Sequence, residues 1–159
     1  MGDKMIVEYR KGNYVVSTDR SRLDLEVIHS FLRSSYWAKN IPLSVVRKSI
    51  ENSLCFGVYD AGKQIGFARV ISDLATFAYL SDVFILETHR GQGLAKWLLE
   101  CIMAAPELQG LRRWLLATKD AHELYRQYGF QDLGSPERFM EIANLDIYRV
   151  SELRRLNDQ

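Results

Sequence analysis

Hydrophobic and polar residues alternate in short blocks along the chain, and the blocks predict strands and helices in the order β, α, α, β, β, β, α, β, α, β. Strands are expected within 5–19 as a hairpin or broken strand, then at 55–59, 64–70, 77–86, 113–118 and 139–143. Helices are expected at 22–34, 44–52, 93–105 and 120–129, with a tail at 146–159 that can also be helical. This order favours a mixed sheet with helices on both faces.

Turn and capping residues set most of these boundaries. Asp60-Ala61-Gly62-Lys63 separates two strand-like runs and is typical of a tight hairpin turn. Ser21 with Asp24, and Asp120 with Glu123, resemble boxes that begin helices. Gly129 stands where a helix commonly ends in a left-handed residue. The long apolar run at 77–86 predicts a strand inside the sheet.

Composition narrows the class of protein. The chain has 159 residues, 47% of them hydrophobic and 26% charged, which is enough for a core without disulfides or metals. A formal charge of +1 gives no basic field, so nucleic acid is not an expected partner. No apolar stretch is long enough to span a membrane, and a membrane is not an expected partner of the protein. Cys55 and Cys101 lie in apolar segments and predict buried thiols in a reducing compartment, the cytoplasm.

The segment after the long strand has the strongest chemical signal. The strand is followed by Glu87-Thr88-His89-Arg90-Gly91-Gln92-Gly93-Leu94-Ala95-Lys96 and then by a helix. Glycines bring backbone amides close to a ligand, and a helix begins with unpaired N–H groups, so such a turn binds anions, most often phosphate. The ATP pattern GxxxxGK and the dinucleotide pattern GxGxxG are both missing, so neither ATP nor NAD is favoured.

Two motifs together resemble the GCN5-related N-acetyltransferase (GNAT) superfamily. Arg90, Gly93 and Ala95 match its RxxGxG/A signature, and residues 121–130 look like its AxxLYxxxGF segment. The resemblance implies a small single-domain member at 1–145 followed by the tail at 146–159. It also implies a mixed, mostly antiparallel α/β sheet splayed at its middle, with acetyl-CoA as cosubstrate and no metal.

The resemblance further implies where the cosubstrate binds. The diphosphate would lie on the glycine turn, and the pantetheine arm would enter between the strand ending at Leu86 and the strand at 113–118. The implied cofactor-binding residues are Phe84 and Ile85 through their backbone, and Arg90, Gly91, Gln92, Gly93, Leu94, Ala95 and Lys96.

Acid and base candidates follow from the chemistry of moving an acetyl group from a thioester to an amine. Tyr125 matches the family's general acid, although the apolar spacing fits a core tyrosine equally well. Asp82 is the only carboxylate in its apolar strand and is the candidate base; the alternative is a solvent-facing residue or an ion pair with a neighbouring arginine. The three histidines, His29, His89 and His122, are weaker candidates.

Tyr36 and Trp37 occupy the loop between the first two helices, where the family usually builds its acceptor wall. Their aromatic faces suit a cationic amine, but they could instead seal the helix ends against the core. The sequence does not choose among small amines, amino acids and peptide amines.

Three functions of different class remain open at this point. The first is an acetyl-CoA-dependent N-acetyltransferase that uses direct transfer in a ternary complex. The second is a noncatalytic acyl-CoA-binding regulatory module. The third is an interaction protein, for instance a homodimer, whose tail docks through Ile147, Val150, Leu153 and Leu156.

Overall fold

A six-stranded sheet with its strands in sequence order forms the centre of the protein. The computed structural model describes residues 5–149. Strands β1 to β5 pair antiparallel, whereas β5 and β6 are parallel, so the prediction of a mixed, mostly antiparallel α/β sheet is confirmed. The strands are β1 (Glu8–Lys11), β2 (Tyr14–Ser17), β3 (Leu54–Asp60), β4 (Lys63–Ser72), β5 (Phe77–Ile85) and β6 (Arg113–Leu116).

Within residues 5–149, four α-helices cover the two faces of the sheet: α1 (Leu25–Ser34), α2 (Leu43–Glu51), α3 (Leu94–Ala104) and α4 (His122–Arg126). Side chains alternate across a strand, so β4 contributes Phe67 to one face and Val70 to the other. Helices α1 and α2 bury residues such as Ile28 and Val46 against the first face. Helix α3 buries Leu98 and its neighbours against the second face, where α4 packs beside it. No helix in this part of the chain is long and apolar enough to cross a bilayer.

The turn between β3 and β4 has the predicted hairpin geometry. Ala61 and Gly62 have φ values of +48° and +84°. A two-residue turn with positive φ at both positions matches the twist of its flanking strands. The prediction from Asp60-Ala61-Gly62-Lys63 is therefore confirmed.

Two helix beginnings differ from the sequence prediction. Helix α1 is capped by Asp24, whose carboxylate accepts hydrogen bonds from the amides of Glu26 and Val27, so it begins at residue 25 rather than 22. Ser21 belongs instead to a short 3-10 turn, Arg20–Arg22. Helix α4 has no side-chain cap, so Asp120 does not have its predicted role. Spacing alone cannot tell which of several nearby polar residues turns its side chain back to the helix amides.

The predicted last strand, Phe139–Ala143, is also wrong. These residues form no regular structure, and Met140 and Ile142 are fully exposed. A strand needs a partner for its backbone groups, and this segment pairs with no strand among residues 5–149. Residues 145–148 form a turn, while the part of the predicted tail at 150–159, with Val150, Leu153 and Leu156, lies outside the described residues.

Strands β5 and β6 separate halfway along β5. Only Phe77–Leu80 pairs with Arg113–Leu116, whereas β5 continues beside β4 as far as Ile85. The separation begins next to a bulge, where Asp82 has a φ of +55° and the β4–β5 register shifts. The predicted splay is confirmed, and it opens a gap beside the second half of β5.

Candidate active site

The turn between β5 and α3 presents a run of unpaired backbone amides at the end of the gap. The amides of residues 91 to 96 donate to no acceptor within residues 5–149, and the first bond of α3 runs from the amide of Trp97 to the carbonyl of Gly93. Gly91 and Gly93 have φ values of +80° and +74°, and a Cβ added to either would meet no atom within 4 Å. The glycines are therefore required by backbone conformation, and the space beside the amides is open.

Two contacts from the sheet hold this turn in place. His89 Nε2 lies 3.0 Å from Asp60 Oδ2 at the end of β3. The Tyr14 hydroxyl on β2 donates to Gln92 Oε1 over 2.6 Å. Sequence reasoning missed both anchors because they join residues far apart in the chain. His89 is therefore a structural residue of the turn, consistent with its low rank as a base.

The two predicted cations differ in their surroundings. Arg90 Nε donates to the carbonyl of Ile85 over 3.0 Å, which holds the guanidinium against the end of β5. Lys96 is exposed on the first turn of α3. Both side chains place positive charge next to the unpaired amides, where an anion would gain most from it.

The backbone of β5 faces the gap at alternate residues. The Leu86 amide donates to Ile65 on β4, so the groups of Ile85 point the other way, toward the gap. The same alternation directs Phe84 toward β4 and Val83 toward the gap. The Phe84 ring is buried and stacks on Phe31 with ring centres 4.0 Å apart. Val83 was not among the residues named from the sequence, because strand register cannot be read from side-chain identity.

Tyr125 lies on α4 with its ring half-buried beside Phe130. Its hydroxyl forms no hydrogen bond within the described part of the chain. Burial, and to a smaller extent the nearby Tyr36 hydroxyl and Asp120 carboxylate, raise the pKa of Tyr125 to about 12. The phenol therefore holds its proton throughout the neutral range. Tyr125 is packed against its neighbours and still has a hydroxyl proton to donate. The core-tyrosine and general-acid interpretations of the sequence are therefore compatible.

Asp82 is paired on both carboxylate oxygens. Oδ2 accepts a hydrogen bond from Arg69 Nε and Oδ1 accepts one from Trp37 Nε1, each over 2.9 Å. The side chains of Asp82 and Arg69 are only 8% and 15% exposed. The ion pair that the sequence left open as an alternative is thus present. A carboxylate offers about four lone-pair sites, so the pair still leaves room for a water molecule.

Tyr36 and Trp37 are exposed rather than sealed into the core, with 58% and 41% of their surfaces accessible. Their rings meet edge to face at 5.1 Å. The Tyr36 hydroxyl accepts a hydrogen bond from the amide of Lys119, in the loop that follows β6. The α1–α2 loop therefore contacts both sides of the gap. Trp37 bonds Asp82 on β5, and Tyr36 bonds Lys119 in the loop after β6.

The remaining histidines lie outside this arrangement. His29 Nε2 is bonded to the carbonyl of Ile41 over 2.9 Å. His122 is exposed at the beginning of α4. Cys55 and Cys101 are both buried, and burial raises the pKa of the Cys101 thiol to about 12. The gap thus has the unpaired amides at one end and Asp82, Tyr125 and the two loop aromatics along its walls.

Comparison with known proteins relates this geometry to a family. The family model described as an acetyltransferase (GNAT) domain matches residues 51–132. A protein of Gibberella zeae named as an acetyltransferase is 33% identical over 148 residues, which cover 78% of this chain and 82% of that protein.

Solved structures of similar fold are acetyltransferases as well. A GNAT-family acetyltransferase from Xanthomonas campestris pv. campestris is 53% identical and superposes with a TM-score of 0.84, covering 85% of this chain and 96% of that one. A GNAT acetyltransferase from Elizabethkingia anophelis, solved with acetyl-CoA bound, has the same fold at 13% identity and a TM-score of 0.61. That match covers 84% of this chain and 90% of that one.

Proposed function

Because the chain belongs to the GNAT family of acetyltransferases, we propose that it moves an acetyl group from acetyl-CoA to a primary amine by direct transfer in a ternary complex. The observation that carries the proposal is the run of unpaired amides at residues 91 to 96, which opens onto the gap between β5 and β6. A diphosphate satisfies such amides, and a strand edge in a gap suits an extended arm.

The proposed binding mode assigns a part of acetyl-CoA to each element. The diphosphate lies on the amides of 91 to 96, with Arg90 and Lys96 adding charge. The pantetheine arm bonds the gap-facing backbone groups of Val83 and the amide of Ile85, whose carbonyl already accepts a hydrogen bond from Arg90, rather than the groups of Phe84. The Elizabethkingia anophelis structure of the same fold, which has acetyl-CoA bound, supports acetyl-CoA as the cosubstrate.

The proposed chemistry needs a proton acceptor because an alkylamine of pKa ~10.4 is only about 0.04% neutral at pH 7. We assign that role to Asp82, which takes the proton through a water molecule on one of its unused lone pairs. Tyr36 and Trp37 form the acceptor wall, where an aromatic face attracts an ammonium ion by about 1 kcal/mol. This wall fits a small-molecule or peptide amine.

Tyr125 is the proposed general acid for the leaving thiolate. A phenol of pKa about 12 facing a thiol of ordinary pKa ~8.5 gives an unfavourable transfer of about 5 kcal/mol. The thiolate is destabilised by the same burial, so the proton moves as the carbon–sulfur bond breaks rather than before it.

Direct transfer is proposed because neither cysteine suits an acyl carrier. Cys55 and Cys101 are 1% and 3% exposed, and the raised pKa of Cys101 leaves little thiolate. Two buried thiols also fit the reducing environment of the cytoplasm, where we expect the protein to act.

Two matched glycine variants test the binding site. Gly93 and Gly110 share a φ of +74°, and neither has an atom within 4 Å of an added Cβ, but only Gly93 lies in the turn. We expect Gly93→Val to weaken coenzyme A binding by about tenfold or more, since one or two amide contacts of ~1 kcal/mol are lost. Gly110→Val carries the same backbone strain and should bind normally by calorimetry. Equal binding by both variants, or no heat with the native protein, would refute the proposed site.

Replacing Tyr125 by Phe separates an enzyme from a noncatalytic binding module. Thiol release from acetyl-CoA with a panel of amines should fall about 100-fold or more in Tyr125→Phe, while coenzyme A affinity stays unchanged. The control is Tyr79→Phe, because the Tyr79 hydroxyl on the paired half of β5 has no hydrogen bond within residues 5–149. If no amine supports thiol release by the native protein although coenzyme A binds, the binding-module alternative is favoured.

A further inference from the structure

The side chain of Lys119 lies against the proposed acceptor wall. Its Nζ is 5.6 Å from the centre of the Tyr36 ring, within the range of a cation–π contact. The Lys119 amide also donates to the Tyr36 hydroxyl over 3.2 Å, so the backbone and the side chain of one residue both contact the wall. A primary amine of the protein itself thus occupies the aromatic face that we assign to the ammonium group of an acceptor.

Contacts continue from Lys119 toward both proposed catalytic groups. The Tyr36 ring meets Trp37 edge to face at 5.1 Å, and the Trp37 indole donates to Asp82 over 2.9 Å. On the other side, Tyr36 lies near Tyr125. Burial is the main cause of the raised pKa of Tyr125, and the Tyr36 hydroxyl is the next. The Lys119 amine therefore lies beside the wall that joins the proposed base to the proposed acid.

The Lys119 amine is available as a nucleophile. The residue is exposed, and its Nζ forms no hydrogen bond or ion pair within residues 5–149. A lysine carries its amine on a flexible four-carbon stem, so rotation of the side chain can move Nζ from the Tyr36 ring into the gap. Among the lysines in the described part of the chain, Lys119 alone places its ammonium over an aromatic ring.

We propose that Lys119 is acetylated by acetyl-CoA at the active site of its own copy, an inference that rests on the proposed function. The lysine ammonium first loses a proton through water to Asp82. The neutral Nζ then attacks the thioester carbonyl, so that a carbon–nitrogen bond forms and the carbon–sulfur bond breaks. Tyr125 protonates the leaving thiolate and regains a proton from the amine nitrogen as the amide forms. The products are an acetylated Lys119 and free coenzyme A.

A tethered amine competes well with amines in solution. A group on a short flexible link has an effective concentration of the mM order, and Lys119 reaches the site without diffusion. The reaction stops after a single transfer, because the product amide is no longer nucleophilic. It also removes a positive charge from the Tyr36 ring, which leaves that ring without a competing cation.

The test is incubation of the full chain with acetyl-CoA that carries a deuterated acetyl group, without any added amine. Intact-mass spectra follow the labelling, and peptide mapping locates it. We expect the label at Lys119, with a rate constant independent of protein concentration. Exposed Lys63 is the internal reference for chemical acetylation, since it lies about 20 Å along β4 from Arg69 at ~3.3 Å per residue. Lys119 should react about 100-fold faster than Lys63.

Three variants separate enzymatic from chemical labelling. Lys119→Arg keeps the positive charge but should lose the label, because its guanidinium stays protonated. Lys63→Arg is the matched control and should retain the label at Lys119. Tyr125→Phe should slow labelling of Lys119 by about 100-fold, to the rate of the chemical reaction. Circular dichroism checks that each variant keeps the native fold.

Each other outcome has a distinct meaning. Equal rates at Lys119 and Lys63 in the native chain would show chemical acetylation and overturn the inference. A rate constant proportional to protein concentration would show transfer between copies, which also overturns it. If an added amine is acetylated while Lys119 stays unlabelled, the inference fails and the proposed function stands. If neither Lys119 nor any amine is acetylated, the proposed function fails as well.

Discussion

Asp82 adopts a backbone conformation that few residues tolerate, and its side chain explains why it is there. A positive φ costs an ordinary L-residue roughly 1–2 kcal/mol, least for Asn and Asp. The bulge turns the carboxylate toward Arg69 on β4 and toward Trp37 on the α1–α2 loop. One residue thus links the point where the sheet opens to the loop that lines the opening.

Exchanging Asp82 for Asn tests its proposed role as a base. The amide keeps an oxygen for Trp37 but loses the charge that balances Arg69. Since breaking a buried ion pair costs 3–5 kcal/mol, we expect the free energy of unfolding to fall by about 3 kcal/mol in urea titrations. Thiol release by the folded fraction should also fall, by about 100-fold.

The matched variant is Arg69→Met, which breaks the same pair and leaves the carboxylate in place. It should lose similar stability while retaining most of its turnover. Equal turnover by Asp82→Asn and Arg69→Met, measured on folded protein at saturating amine, would leave Asp82 with a structural role alone.

At the scale of elements, the sequence predicted the turns and helices whose formation depends on neighbouring residues. The β3–β4 turn, the glycine turn before α3 and the extent of α2 follow from neighbouring residues, and each lies within a residue or two of its predicted place. The missed features need information from further away. A helix cap depends on which side chain turns back to the amides, and the segment at 139–143 has the pattern of a strand without a strand beside it.

Two aspartates near the beginnings of helices allow the capping pattern in the sequence to be compared with the hydrogen bonds in the structure. Asp24 accepts hydrogen bonds from two amides of α1, and its own amide donates to the buried Gln64 Oε1 over 2.7 Å. Asp120 has the same spacing signal but caps nothing. We expect Asp24→Ala to lower the free energy of unfolding by about 1 kcal/mol and Asp120→Ala to change it by less than about half of that. Chemical denaturation of both variants measures the difference, and equal losses would contradict the capping geometry.

At the scale of the whole molecule, the site is assembled by contacts that cross the fold. Tyr14 and Gln92 are 78 positions apart, and Tyr36 and Lys119 are 83 apart. Motifs predicted the glycine turn and Tyr125 because their residues are consecutive. The Arg69–Asp82 pair depends on the register of two strands around a bulge, which no single segment encodes. The sequence therefore predicted the parts of the site better than the contacts that hold those parts together.

Alkaline pH tests the packing of the whole molecule, because burial raises the pKa of Tyr59, Tyr125 and Cys101 to about 12 in each case. The unfolded chain ionises these groups near pH 9 to 10, whereas the folded chain keeps them neutral. Stability is then intact below about pH 9 and falls as pH rises toward 12, because ionisation favours the unfolded state.

Tyr59 is the most sensitive probe of this effect, since its buried hydroxyl has no hydrogen-bond partner. Tyr59→Phe should raise the free energy of unfolding by about 1 kcal/mol at neutral pH and reduce the alkaline loss by at most about 3 kcal/mol. Thermal unfolding across this pH range measures both effects, with Tyr79→Phe as the control. If the loss of stability at alkaline pH is the same in Tyr59→Phe as in the native protein, this tyrosine ionises as readily in the folded as in the unfolded chain.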